Sequence, residues 1–194
     1  MKIVAKCPDA LEGRDPVILG LFSVPRAVDL VRPDDYDTLE EIHAASFVAP
    51  WSADEQAALN EDENVTTFVA RRMSATASRR PIGFITVRRA ADEGEVLTMA
   101  VSRRQRRSGV GRLLLNAALR HLYAERVSEV FLEVDPNNTA AMTLYRRAGF
   151  EVVGERPDYY GNSDGKRQKA LTMRLAFKQP AFAGTPSGAS ATCR

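Results

Sequence analysis

Cysteine is almost missing from the 194 residues, with only Cys7 and Cys193 near the two ends, and histidine is as scarce, with His43 and His121. No Cys/His spacing for a zinc site can be assembled from residues so scattered, so the expectation is a reduced, cytoplasmic protein without a metal. An excess of one charge is missing as well. The 27 basic residues against 25 acidic ones leave +2, a balance that demands neither nucleic acid nor membrane as partner and leaves any basic function to be local. Long apolar runs are absent too. PVILGLFSVP at 16–25 is closed by Pro16 and Pro25, is too short to span a bilayer, and follows Asp9, Glu12 and Asp15 where a signal peptide would be basic. What is present is 44% hydrophobic content, enough for one domain with a real core and too little for two.

The ends differ from the middle. From Lys178 the chain is small, polar and rich in Pro, Gly and Ser, with little apolar area to offset its ordering entropy, so 178–194 reads as a disordered tail. Residues 1–27 read as an N-terminal extension of unassigned role. Between them, 28–177 alternates in the manner of one α/β domain. A strand is expected at 28–32 and a helix after Pro33, with Leu39, Ile42 and Phe47 at helical spacing. A second helix starts at the Ser52/Glu55 capping box. The runs VTTFVARR, PIGFITVRR and EVLTMAV, parted by SATAS (74–78) and DEG (92–94), read as an antiparallel meander. A helix over 109–126, a strand over 127–134, a helix ended by Gly149, and strands FEVVGERP and KALTMRLAF complete a mixed sheet.

The stretch RRQRRSGVGRLLL at 103–115 carries the strongest chemical signal. It follows a strand and opens a long helix, so Gly109 and Gly111 fall in a first turn whose amides lack intrahelical partners and whose dipole end is positive. Glycine removes the Cβ that would keep an anion from those amides, and Arg106, Arg107 and Arg112 add charge and forked donors. A ligand bearing several phosphate charges fits; a solvated, arginine-rich helix entry is the plainer alternative. No Walker loop is present, and Leu114 stands where a third glycine would complete a dinucleotide fingerprint.

R-x-x-G-x-G at Arg106, Gly109 and Gly111 resembles the pyrophosphate-binding motif of the GNAT superfamily of N-acetyltransferases, and the resemblance runs over roughly 28–177. It implies an α/β GNAT fold, with a mixed, mostly antiparallel sheet whose middle strands splay apart, flanked by helices. It also implies acetyl-CoA as cosubstrate without a metal, held by Met99, Ala100 and Val101 on the bulged strand, by Arg106, Arg107, Ser108, Gly109, Val110, Gly111 and Arg112, and by Asn138 and Tyr145. FLEVDPNNTAAMTLYRRAGF, PWS at 50–52, YY at 159–160 and DG at 164–165 are similar to one subfamily, the RimI-type enzymes that acetylate the N-terminal alanine of a small-subunit ribosomal protein. That implies a protein N-terminus as partner, with no direct nucleic-acid or membrane contact. One departure stands out: after Leu-Glu-Val the subfamily usually carries Arg-x-Ser-Asn, and here Asp135 to Asn138 read Asp-Pro-Asn-Asn.

Acetyl transfer to an amine needs a base for the amine, a donor for the carbonyl oxygen and a proton for the thiolate. Glu133, a carboxylate in an apolar strand, matches the base of the subfamily, acting directly or through water; the same residue fits a glutamate on the solvent side of an alternating strand. Tyr145 matches the general acid, and equally fits a core position, since Met142, Tyr145 and Ala148 share helical spacing. The amide of Val101 is the expected oxyanion donor. Trp51, Tyr159 and Tyr160 are candidate acceptor-binding residues, the tyrosine pair from a loop before the last strand, and each fits packing as well. An α-amine titrates near ~7.7–8.0 and a lysine near ~10.4, a gap of roughly 3.5 kcal/mol that favours the N-terminal acceptor for one weak base. A small-molecule amine or a lysine side chain is the alternative acceptor, and a non-catalytic CoA- or RNA-binding module the alternative class.

Overall fold

The computed structural model describes residues 25–73, 80–161 and 167–177, and the side chains among them other than those of 157–161, 167 and 168. Strands β1 (Arg26–Leu30), β2 (Val65–Arg72), β3 (Gly83–Ala90) and β4 (Glu93–Val101) form the expected antiparallel meander. β4 then pairs in parallel with β5 (Glu129–Val134), which pairs antiparallel with β7 (Arg167–Ala176), and β7 with β6 (Glu151–Gly161), so the sheet order is β1-β2-β3-β4-β5-β7-β6. This is the mixed, mostly antiparallel α/β sheet read from the sequence.

Helices cover both faces. α1 (Tyr36–Ala44) and α2 (Ala53–Leu59) lie on one, where Leu39, Ile42 and Phe47 pack with Val69, Phe84 and Ala100. α3 (Val110–Ala124) and α4 (Thr139–Arg147) lie on the other, where Leu114, Leu115 and Tyr145 join Ile85, Leu132 and Met173 in the larger core. The capping box is formed, with Ser52 Oγ accepting from the Glu55 amide at 3.2 Å and Glu55 Oε2 from the Ser52 amide at 2.8 Å. A buried fork anchors the start of α1: Arg71 on β2 donates to both carboxylate oxygens of Asp35, which also accepts the Arg32 amide at 2.7 Å. α4 ends at Gly149, φ +98°, with Phe150 N–H on the Tyr145 carbonyl and Gly149 N–H on that of Arg146, both at 3.0 Å. That is a Schellman closure, and a left-handed residue is what it requires.

One irregularity in β4 organises the centre. Opposite the Thr86/Val87 step the register shifts, pairing Thr86 with Thr98 and Val87 with Val96, so Leu97 is an extra residue. A bulge inverts the alternation of the strand that carries it. Val96 belongs to the α3 face, and strict alternation would send Thr98 and Ala100 there too; instead Ala100 packs beneath α1, Thr98 bonds His43 of α1, and Met99 and Val101 pack on the α3 side.

Some boundaries differ from the sequence reading. The first strand lies at Arg26–Leu30, taking in Arg26 and Ala27, which read as part of the extension, because its register with β2 runs from Arg26↔Arg72 to Leu30↔Phe68. Helix α1 stops at Ala44, short of Phe47, which still reaches the core. The hairpin expected at DEG turns at Ala91, φ +54°, with Glu93 and Gly94 already in β4. β6 runs to Gly161, so Tyr159 and Tyr160 stand on strand backbone, with Tyr160 opposite Gln168, and not in a loop. The turn read at 74–78 and the tail at 178–194 lie outside the described residues. Among the described residues no helix is long and apolar enough to cross a membrane.

Candidate active site

β4 and β5 are paired only from Glu93↔Glu129 to Val96↔Leu132. The pairing ends beside the Leu97 bulge, where a bulged strand bends, and beyond it the two middle strands part as expected. The gap is a cleft lined by Phe47, Thr98, Met99, Glu133, Asn138 and Tyr145, among others. Glu133 and Tyr145, singled out separately from sequence, therefore share one cavity.

They reach it from opposite sides. Val130, Leu132 and Val134 of β5 point into the α3/α4 core, so alternation puts Glu133 on the other face with Phe131, the face that α1 and Phe47 occupy. Glu133 is no solvent-side residue. Its side chain is 9% exposed and its Oε1 accepts from Arg156 Nη1 at 2.9 Å, a guanidinium from β6 that the sequence reading did not single out. Tyr145 comes from α4 on the core face, 7% exposed, its ring edge-on to Phe150. Burial pushes its phenol well above the ordinary value of 10, so it stays protonated.

The ladder selects which β4 groups face the gap. Ser102 N–H bonds the Ile82 carbonyl at 3.0 Å, which makes that facing pair a hydrogen-bonded one. The next pair, Val101↔Gly83, and the pair Met99↔Ile85 are then non-bonded positions whose N–H and C=O turn away from β3. Met99 and Val101 thus present backbone groups to the parted side. Ala100 does not: its backbone belongs to the pairing with Phe84 and its side chain to the α1 core. Asn138 is buried and caps α4, its Oδ1 accepting from the Ala141 amide at 3.1 Å.

The arginine-glycine corner sits at the N-terminus of the 15-residue α3. The helix ladder begins with Leu113 N–H on the Gly109 carbonyl at 3.1 Å, which leaves the amides of Val110, Gly111 and Arg112 without helical partners. Gly109 has φ +89° and a Cβ there would meet nothing within 4 Å, so the space over the helix end is open. The arginines divide by role. Arg106 is turned inward, Nε to the Val101 carbonyl at 3.3 Å and Nη2 to Ser46 Oγ at 3.1 Å, and Arg103 bonds the Ala45 carbonyl; both tie the corner to the end of α1. Ser108 spends its hydroxyl on the Gln105 carbonyl and its own carbonyl on Arg26. Val110 is buried and offers only its backbone. Arg107 and Arg112 are exposed, with no hydrogen bond or ion pair to another described residue. Open space, orphan amides and two uncommitted guanidiniums fit a pyrophosphate.

Trp51 does not line the cleft. It is half-buried, its ring stacked on His43 at 5.4 Å and its amide donating to His43 Nδ1 at 3.0 Å. Sequence reasoning passed over His43, although its place beside Ile42 and four residues after Leu39 puts it on the buried stripe of α1. Asp135, the departure from the subfamily pattern, is 5% exposed and accepts from Asn137 N at 2.8 Å and Nδ2 at 3.0 Å. It shapes the turn into α4 as an Asx-turn residue. Among the described residues no His, Cys, Asp and Glu gather into a metal-holding group.

Residues 36–150 match the model of the acetyltransferase (GNAT) family. The chain belongs to the GNAT family. It is an N-acetyltransferase, which sets aside the reading as a non-catalytic module, and acetyl-CoA is the donor that GNAT acetyltransferases use. Curated relatives include the [ribosomal protein bS18]-alanine N-acetyltransferase of Haemophilus ducreyi strain 35000HP, 28% identical over 76% of this chain and 98% of that one. The enzyme of the same name from Escherichia coli K12 is 31% identical over 73% of this chain and 90% of its own length. The crystal structure of the ribosomal-protein-S18-alanine N-acetyltransferase from Escherichia coli superposes with a TM-score of 0.71 at 26% identity, covering 83% of this GNAT chain and 99% of the other.

Proposed function

We propose that this GNAT enzyme acetylates the N-terminal alanine of ribosomal protein bS18, by direct transfer from acetyl-CoA in a ternary complex, a reaction that belongs in the cytoplasm. The observation that carries the reading is the meeting of a carboxylate and a phenol in one cleft from opposite faces of a parted sheet. The names of the relatives supply the acceptor. Acetyl-CoA, when bound, supplies a thioester-activated acetyl group. The first-turn amides of α3 with Arg107 and Arg112 would hold its pyrophosphate, and Met99 and Val101 the pantetheine arm in the manner of an added strand.

Glu133 takes a proton from the α-ammonium group, directly or through water, on the α1 side. The Val101 amide donates to the carbonyl oxygen as negative charge develops on it. Tyr145, on the α3/α4 side, offers its hydroxyl to the departing sulfur; with its pKa raised by burial, full transfer to a thiolate whose conjugate acid is near ~8.5 is uphill, so its part is that of a hydrogen-bond donor. Asn138 fixes the entry to α4 and so the height of Tyr145, and the end of β6 that carries Tyr159 and Tyr160 would border the acceptor. Asp135, the departure from the subfamily pattern, serves the turn into α4.

The test is thiol release from acetyl-CoA with two peptides, one with a free N-terminal alanine and no lysine, one N-blocked with an internal lysine. Turnover confined to the first is expected. Turnover of the lysine peptide alone, or of neither while acetyl-CoA binds, overturns the acceptor assignment.

A further inference from the structure

The proton of His43 can be located from its neighbours. The Trp51 amide reaches Nδ1 at 3.0 Å, and a peptide N–H can only donate, so Nδ1 presents its lone pair and the ring proton of the neutral imidazole sits on Nε2. Nε2 lies 3.1 Å from Thr98 Oγ1. The imidazole is therefore the donor and the hydroxyl the acceptor. The ring is fully buried and sandwiched between Phe47 at 4.1 Å and Trp51 at 5.4 Å, which holds this polarity in place.

Thr98 is left with its own proton to give. Its hydroxyl makes no second hydrogen bond among the described residues. The residue is 3% exposed, and it lines the cleft on the α1 side, which it shares with Phe47 and Glu133 and which the Leu97 bulge brought it to. A buried hydroxyl with an unspent donor is a strong demand for an oxygen. Where the base and the amine meet, that oxygen comes from the acceptor.

We propose that Thr98 is a specificity-determining residue of the acceptor side, donating its hydroxyl to the carbonyl oxygen of the acceptor's first residue, with His43 as the positioning residue that forces Thr98 to donate. The inference rests on the amine-transfer reading above. In an α-aminoacyl group the amine and the carbonyl share one carbon, so an α-amine always carries a carbonyl two bonds away; a lysine ε-amine carries none. The cleft thus recognises a chain terminus by its first carbonyl as well as by its amine.

The experiment compares two acceptors: an alanine-initiated peptide, and the same peptide with its first amide replaced by a trans-alkene isostere, which keeps the amine and the shape and removes the carbonyl. Wild type should favour the peptide, and Thr98→Val should cut that kcat/KM ratio about tenfold, the size of one neutral hydrogen bond. Thr98→Ser should restore it. The ratio is taken within one preparation, so a smaller folded fraction in Thr98→Val does not enter. An unchanged ratio in Thr98→Val overturns the assignment of Thr98 while leaving the acetyltransferase reading intact. Failure of wild type to acetylate either acceptor overturns that reading and this inference with it.

Discussion

The ring of Tyr145 meets that of Phe150 edge-on, 5.8 Å between centroids, across the turn that closes α4. The contact joins the third residue from the helix end to the second beyond it, as Schellman closures commonly do. The ring is thus held by packing, and its hydroxyl makes no hydrogen bond to another described residue.

Tyr145→Phe should fold normally, lower kcat about 10²-fold or more, and change acetyl-CoA affinity by less than about threefold. Steady-state kinetics beside calorimetric titration separate the two. Parallel losses in kcat and affinity would mean that the hydroxyl serves binding.

Glu133→Gln should lower kcat/KM about 10²-fold at pH 7, and the deficit should shrink as pH rises past ~8, where the α-amine loses its proton unaided. A deficit constant from pH 6.5 to 9.5 would remove Glu133 from the proton transfer.

Gly109 and Gly111 should respond differently. At Gly109, φ +89° penalises any side chain, a β-branched one most, so Gly109→Val should rearrange the helix entry and weaken acetyl-CoA binding tenfold or more. At Gly111 a Cβ would lie 3.4 Å from a Leu144 methyl, an ordinary contact, and Gly111→Ala should bind within about threefold of wild type. Equal losses at both would shift the cause from backbone conformation to crowding of the ligand.

Burial lowers the His43 imidazole to about 4 from its ordinary 6.5, with Glu55 pulling weakly the other way. A folded-state pKa below the unfolded one means that the fold favours the neutral ring. Its contribution is therefore complete above pH 6.5 and is lost as pH falls from there to 4, on the order of 3 kcal/mol. Urea titrations at stepped pH should show wild type losing more stability over that window than His43→Phe, which has no proton to take up. Identical slopes would show that the ring is accessible to protons in the native state.

The elements were legible because their periods are clean: β2 was read to the residue, and the Ser52 box and Gly149 marked helix ends by chemistry that acts over three or four positions. The corner at 103–115 could be read for the same reason, as could the pairing of Glu133 with Tyr145 once the resemblance was noted. The roles of individual arginines could not. Arg106 and Arg107 are adjacent and alike in sequence, and only the approach of Ser46 and the Val101 carbonyl makes one structural and leaves the other exposed. His43, Thr98 and Arg156 were missed because their partners lie 55, 55 and 23 positions away, on other elements. Asp135 stood out only as a departure from the subfamily pattern, and the sequence did not show that its side chain accepts from Asn137, two residues along.

Leu97 gives the cleft its address in the gene. A catalytic opening in a sheet is usually imagined as the work of a long insertion, and here it is set by an odd count: one codon more in β4 than in the stretch of β3 it faces. Remove that codon and the pairs Val87↔Val96 and Thr86↔Thr98 follow one another in a regular ladder, Thr98 and Met99 keep their sides, and the bend at which β4 leaves β5 is lost. The distinction between an ordinary sheet and an enzyme's interior is, at this point of the chain, a matter of one residue.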